Sequence, residues 1–299
     1  MSRAFVFPGQ GSQAVGMGLS LADAFPIARE TFEEIDDALE QRLFRLMTAG
    51  PDDELMLTEN AQPALMAVSM AVIRVLEAEG GIDLADTVSC VAGHSLGEYS
   101  ALAAARSLSL PDVARLLKIR GQAMQQAVPV GEGGMAALLG VGVEKAAEIA
   151  AAAAEGEVCS PANDNGPDQV VLSGTAAAIN RAVEIAPEFG ARRAILLQVS
   201  APFHCALMAP AADVMAEALA KVDFLPPLVP LVANVTAAPT EEPGAIVRQL
   251  VTQVTGLVRW RETVLAMKEA GVDTLVEIGS GKVLSGLTRR IDRDLASVS

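Results

Sequence analysis

The chain is poor in the residue types that most often announce chemistry or a cross-link. Its 299 residues hold two histidines, three cysteines, one tryptophan and one tyrosine. Aromatic residues amount to 3% although 51% of the sequence is hydrophobic, so the apolar content is largely Ala, Val and Leu. That composition suits helices packed on a buried sheet rather than a β-sandwich. Cys90, Cys159 and Cys205 stand far apart with no C-x-x-C pair, which excludes a disulfide framework and a zinc pattern and points to a reducing compartment. Positive charge is also scarce: 22 Lys and Arg face 37 Asp and Glu, a formal net charge of −15. Non-specific binding to nucleic acid or an anionic membrane needs the opposite field. No apolar run approaches the roughly 18 residues of a membrane span, and the opening "MSRAFVFPGQG" meets Pro8 too soon for a signal peptide. The expectation is a soluble, cytoplasmic, monomeric protein with no nucleic-acid or membrane partner.

The length allows one large domain or two smaller ones, either with a substantial core. "AFVF" (4–7) reads as a short buried strand followed by the loop "PGQGSQ". A long amphipathic helix is expected within 21–47, and another through "QPALMAVSMAVIRVLEAEG", stopped at Gly80–Gly81. "TVSCVAG" reads as a buried strand and "EYSALAAARSL" as a helix. From 129 to 198 the rhythm changes: "GMAALLGV", "VEKAAEIAAAAAEG", "EVCSPAN", "QVVLSG", "AAAINRAVEIAPEFG" and "ARRAILLQV" alternate as β-α-β-β-α-β, the ferredoxin-like order. The spacing therefore predicts an α/β protein in which a small subdomain, 129–198, interrupts a larger domain made of 1–128 and 199–299. Further strands of the larger domain are expected at "PLVANVT" and "TLVEIG".

"CVAGHSLGEYSAL" sets Ser95 in a G-x-S-x-G pattern between a strand and a helix. A nucleophile elbow needs that context, because the sharp turn exposes the hydroxyl beside backbone N–H groups that can stabilise an oxyanion. The same five residues would also serve a plain tight turn. Serine activation at neutral pH usually needs a histidine. His94 is adjacent to Ser95, so its side chain should project away from the hydroxyl and hydrogen-bond beside the elbow. His204, in "QVSAPFHCALMAP", follows a predicted strand and is left as the candidate base. Nothing in the sequence shows what orients its other ring nitrogen; Asp164 and Asp168 are available, but both fall in the small subdomain. Cys205, next to it, reads as a buried thiol.

In "LPDVARLLKIRGQAMQQAV", Val113, Leu117, Arg120 and Met124 share one helical face, so Arg120 lies on the apolar stripe. A buried guanidinium needs an anion, and its fork of donors matches a carboxylate. Recognition of a substrate carboxylate, an internal salt bridge and a snorkelling side chain all remain open on this pattern.

Six segments, "FPGQGSQ", "TENAQPALMA", "AGHSLGEYSAL", "KIRGQAM", "SAPFHCALM" and "EIGSGKVLSGL", together resemble the malonyl-CoA:acyl carrier protein transacylases, in matching order and over nearly the whole chain. The resemblance extends to the acyltransferase domains of polyketide and animal fatty-acid synthases. It implies an α/β-hydrolase-like large domain with a ferredoxin-like insertion and an active site in the cleft between them. Ser95 would be the nucleophile, His204 the base held by a main-chain carbonyl, and Arg120 the partner of the malonyl carboxylate. Gln10 and Leu96 would supply the N–H groups of the oxyanion hole, and Gln253, in "TQVTGLVRW", would lie near base and carboxylate. Leu257 and Ser280 stand where many relatives carry proline.

The reaction so implied moves malonyl from malonyl-CoA to the phosphopantetheine thiol of acyl carrier protein through a malonyl-serine, without metal or other cofactor, and feeds fatty-acid elongation. A discrete malonyl loader of a polyketide synthase, a serine thioesterase or hydrolase, and a non-catalytic carrier-binding module are the alternatives. Because carrier proteins of the family are acidic, docking on this acidic chain calls for a local basic patch, either Lys282 with Arg289 and Arg290, or Arg192 with Arg193. Two decoys fail on context. "GQGSQA" lacks a strand-end acid about 20 residues on, and "GSGKV" lacks the spacing of a phosphate loop.

Overall fold

The structure, a computed structural model, describes residues 2–299. It opens on β1 (Arg3–Phe7), buried in all but its first residue. The single long helix expected within 21–47 is instead three: α1 (Leu19–Ala24), α2 (Pro26–Leu39) and α3 (Leu43–Ala49). Pro26 forces Phe25 out of the helical region and restarts the helix with itself in the first turn. Glu40 then closes α2 in the left-handed conformation, with φ 50°. The apolar periodicity survives both breaks because Phe32, Ile35, Leu43 and Met47 still enter one core.

After α4 (Asp52–Met56) comes α5 (Thr58–Ala78), whose first half is buried almost all round. By length and composition α5 is apolar enough to cross a membrane, which corrects the expectation that no segment approaches a span. Two thirds (67%) of its apolar 18-residue window is buried inside the fold, so its apolarity is that of a core helix. α6 (Leu84–Thr87) takes the start of the expected "TVSCVAG" strand, leaving β2 (Cys90–Gly93) shorter than its apolar run. α7 (Gly97–Ala104) and α8 (Leu110–Ala127) follow.

The next stretch gives β3 (Gly133–Leu139), α9 (Val143–Ala154), β4 (Cys159–Gly166), β5 (Gln169–Thr175), α10 (Ala176–Ile185) and β6 (Arg193–Leu196). These strands form an antiparallel sheet in the order β4-β5-β3-β6, and α9 and α10 cover one face over Leu138, Val170 and Leu172. The rest of the chain supplies α11 (Ala209–Leu219), β7 (Leu231–Val232), β8 (Pro239–Thr240), α12 (Pro243–Thr255), α13 (Trp260–Glu269), β9 (Thr274–Glu277), α14 (Val283–Ile291) and β10 (Ala296–Val298). Among the described residues the larger sheet runs β10-β9-β1-β2-β7-β8, parallel except at β7–β8. The architecture is thus the α/β-hydrolase-like sheet with a ferredoxin-like insertion that the sequence led one to expect.

Two consequences place the site. β1, β2 and β7 are parallel neighbours, so the residues just past their C-terminal ends, Gln10, Ser95 and Asn234, gather at one edge, where open α/β sheets bind ligands. The small sheet is pinned beside that edge. Val258 exchanges backbone hydrogen bonds with Ala162 and Asp164 of β4, each 2.9 Å, and Arg261 pairs with the buried Asp164 carboxylate at 2.9 Å.

α8 reaches the site through a close crossing with α5. A Cβ on Gly121 would stand 2.4 Å from the Glu59 Cα, so only glycine lets the two backbones approach there. Gly121→Ala is expected to spread the crossing and cost about 1–3 kcal/mol, the usual range for overpacking, read as a lower urea midpoint at unchanged slope.

Candidate active site

Ser95 sits at the tip of the turn from β2 to α7 with φ 53°, a left-handed conformation that non-glycine residues rarely adopt. The flanking glycines make that turn possible. A Cβ on Gly93 would lie 1.9 Å from the Gly97 backbone, and one on Gly97 would lie 2.2 Å from the Phe7 carbonyl oxygen. Asn234, just past β7, then locks the elbow: its Oδ1 accepts the Ser95 N–H at 2.8 Å while its Nδ2 donates to the Gly93 carbonyl at 2.6 Å.

The buried His204 also adopts a left-handed backbone, with φ 58°, so strain collects at both members of the candidate pair. Its Nε2 lies 2.8 Å from Ser95 Oγ, and its Nδ1 lies 2.8 Å from the main-chain oxygen of Gln253. A carbonyl can only accept, so Nδ1 carries the proton and Nε2 is left to accept from the serine hydroxyl. That carbonyl is available because α12 ends at Thr255, and the last carbonyls of a helix have no partner within it. Burial first, and then the Arg120 charge, push the His204 pKa down to about 3, which keeps the imidazole neutral.

His94 stays beside the elbow as expected, with Nε2 at 2.9 Å from Asn165 Oδ1 and its ring tilted on Trp260. Neither aspartate considered for orienting His204 is used. Asp164 is paired with Arg261, and Asp168 with Arg192 at 2.9 Å. The Cys205 thiol is buried, donates to the Pro202 carbonyl, and is raised in pKa chiefly by that burial.

Arg120 is 2% exposed and forms no ion pair among the described residues. Its fork is held by neutral acceptors: Nη1 donates to Gln62 Oε1 at 2.7 Å, and Nη2 to Gln253 Oε1 at 2.9 Å and to Ser95 Oγ at 3.1 Å. Nε has no partner, and the Tyr99 ring lies 5.7 Å away. The internal salt bridge and the snorkelling side chain, both open from the sequence, are therefore absent. What stands 3.1 Å from the candidate nucleophile is a desolvated cation with no carboxylate on its fork.

Gln253 connects everything. Beyond its bonds to His204 and Arg120, its Nε2 donates to the Ser95 carbonyl at 3.0 Å and to Glu98 Oε2 at 2.8 Å. The N–H groups of Gln10 and Leu96 donate to no group among the described residues, whereas the Ser95 N–H is spent on Asn234. Thr58 Oγ1 steadies Gln10 by donating to its Oε1 at 3.0 Å. Gly9 lets this loop lie on the elbow, since a Cβ there would come 2.7 Å from the His94 carbonyl oxygen. Ser280 Oγ donates to the Ser12 carbonyl, and in "GSGKV" the Glu277 carboxylate occupies the N–H groups of Leu284 and Ser285, where a phosphate would bind.

Sequence reasoning missed Gln62, Glu98 and Asn234. Each left one signal, a polar residue inside an apolar run: "AQPALMA", "EYSALAAA" and "PLVANV". Burial is the chief cause that pushes the Glu98 carboxyl up to about 7. Its ordinary value is 4.5, so between pH 4.5 and about 7 the folded chain holds a proton that the unfolded chain releases, and stability falls as pH rises through that window. Glu98→Gln removes this titration. Its thermal midpoint relative to the parent should therefore climb between about pH 5 and pH 8; a constant difference would mean that Glu98 titrates normally.

A family model described as acyl transferase domain matches residues 4–293. The malonyl CoA-acyl carrier protein transacylase of Escherichia coli (strain K12) is 47% identical over 288 residues, 96% of this chain and 92% of that protein. The crystal structure of an acyl-carrier-protein S-malonyltransferase from Bartonella henselae superimposes with a TM-score of 0.97 at 57% identity, covering 100% of this chain and 95% of that one. A malonyl-transacylase solved in complex with its type II polyketide-synthase acyl-carrier protein superimposes with a TM-score of 0.96 at 44% identity, over 99% and 95% of the two chains.

Proposed function

The chain belongs to the acyl transferase family, and from that premise we propose that it moves malonyl from malonyl-CoA to the phosphopantetheine thiol of acyl carrier protein, for fatty-acid elongation. The observation that carries this reading is the buried, carboxylate-free Arg120 fork at 3.1 Å from Ser95 Oγ. The relatives named above are all transferases that act on a carrier protein, which disfavours hydrolysis to water.

In the proposed reaction His204 Nε2 takes the Ser95 hydroxyl proton as Oγ attacks the thioester carbonyl carbon. The oxyanion faces the N–H groups of Leu96 and Gln10, each donor of that kind being worth about 3–4 kcal/mol. As the carbon–sulfur bond breaks, His204 returns the proton to the leaving sulfur, giving CoA thiol and malonyl-Ser95. The pantetheine thiol then gives its proton to His204, its sulfur attacks the ester, and Ser95 Oγ recovers the proton. The substrate carboxylate seated on Arg120 also offsets the charge that, after burial, depresses His204, so an acidic acyl group strengthens the base.

Docking of the acidic carrier fits the exposed Lys282, Arg289 and Arg290 better than the small-sheet pair, because Arg192 is already paired with Asp168. Reversing Arg289 and Arg290 to glutamate should raise the carrier KM and leave loading from malonyl-CoA unchanged; a loading defect would discard this surface.

Intact mass tests the activity directly. Brief incubation with malonyl-CoA should add one malonyl group at Ser95, and holo acyl carrier protein should then remove it. Loss at the same rate without carrier would indicate hydrolysis. Arg120→Ala should lose malonyl loading by about thirty- to several-thousand-fold, since one member of a buried charged pair is worth about 2–5 kcal/mol, while acetyl loading persists or rises. A parallel fall with both CoA esters would remove the carboxylate role.

A further inference from the structure

Glu98 has no part in the proton transfers above, yet it is 1% exposed and sits behind both residues that hold the site. Its Oε2 accepts Gln253 Nε2 at 2.8 Å and the Asn234 N–H at 3.2 Å, while its Oε1 has no partner. Asn234 locks the Ser95 elbow, and Gln253 carries an acceptor for Arg120. The two ends of an amide side chain are nearly the same size and opposite in hydrogen-bonding sense. With its oxygen toward Arg120 the Gln253 amide accepts from Nη2; flipped, it would set a donor against a donor. The choice between these two states is weighted from the other side of the amide, where the NH2 group makes its shortest bond to Glu98 Oε2, beside the Ser95 carbonyl and Asn234 Oδ1.

We propose that Glu98 is a positioning residue: its carboxylate oxygen fixes the Gln253 amide with the oxygen facing Arg120, and so keeps the guanidinium fork aimed at the acyl carboxylate. The inference rests on the reading that Arg120 receives that carboxylate. It deepens that reading by assigning part of the acyl selectivity to a residue that never touches substrate. The role is that of an acceptor rather than of a charge, because Oε2 accepts both bonds while the unpartnered Oε1 is free to hold a proton.

The test compares loading of Ser95 from malonyl-CoA and from acetyl-CoA in three folded chains. Glu98→Met keeps volume and helix propensity but removes the acceptor. Its malonyl-over-acetyl ratio should fall about tenfold or more, roughly the weight of one hydrogen bond to a charged group, through the malonyl KM more than kcat. Glu98→Gln restores an acceptor and should keep the ratio within about twofold of the parent, because the bond and not the charge matters. In a Gln253→Leu background, Glu98→Met should leave the ratio unchanged. A folded Glu98→Met chain with the parental ratio would overturn the proposal, as would a Glu98→Gln chain as unselective as the Met variant. Should Glu98→Met not fold, Glu98→Leu takes its place with the same two outcomes, and a tenfold loss in Glu98→Gln rejects the acceptor role. A parent chain that never loads malonyl would strike down the function proposed above instead, an outcome these variants do not resemble.

Discussion

A guanidinium withdrawn from water calls for acceptors around its donors, and the site is built around the three that meet the Arg120 Nη atoms while Nε has none. Arg120 is buried on α8 without a carboxylate, so its N–H groups draw Gln62 from α5, Gln253 from α12 and the hydroxyl of Ser95. Gln62 and Gln253 thereby tie α5 and α12 to α8 through the guanidinium. Gly121, next along α8, makes the approach to α5 sterically possible. The cation is thus structural before it is functional, and it sits in a state that a carboxylate would relieve.

Around it the polar groups form one connected network. Asn234 joins the Ser95 N–H to the Gly93 carbonyl, Glu98 joins Asn234 to Gln253, and Gln253 joins Arg120 to His204. Networks of this kind are rigid when satisfied, and rigidity is what two left-handed residues, Ser95 and His204, require of their surroundings. The same enclosure explains the electrostatics. The His204 ring, the Glu98 carboxyl and the Arg120 fork are all buried, and each is pushed toward its neutral form by that burial more than by any neighbour.

Much of this was legible in the sequence. The elbow announced itself by Gly93 and Gly97, whose missing Cβ atoms the packing demands, and the scarcity of histidine reduced the choice of base to one residue. Arg120 stood out because a charge on an apolar helical stripe breaks the pattern. The ferredoxin-like insertion followed from strand and helix order alone. The breaks around Pro26 and Glu40 were hidden because a helical stripe continues in phase across short interruptions. Glu98, Asn234 and Gln62 were hidden for another reason: a polar residue in an apolar run looks like local noise until distant strands and helices bring its partners within reach.

The anchor of His204 is indifferent to side-chain identity. His204 is oriented by the main-chain oxygen of position 253, whereas Arg120 and the Ser95 carbonyl are met by its side chain. Every amino acid carries the oxygen and only some carry the amide. A changed side chain at position 253 would therefore alter what meets Arg120 and leave in place the oxygen that holds the His204 proton. In the proposed reaction, proton transfer leans on the backbone of α12 and acyl choice on one of its side chains.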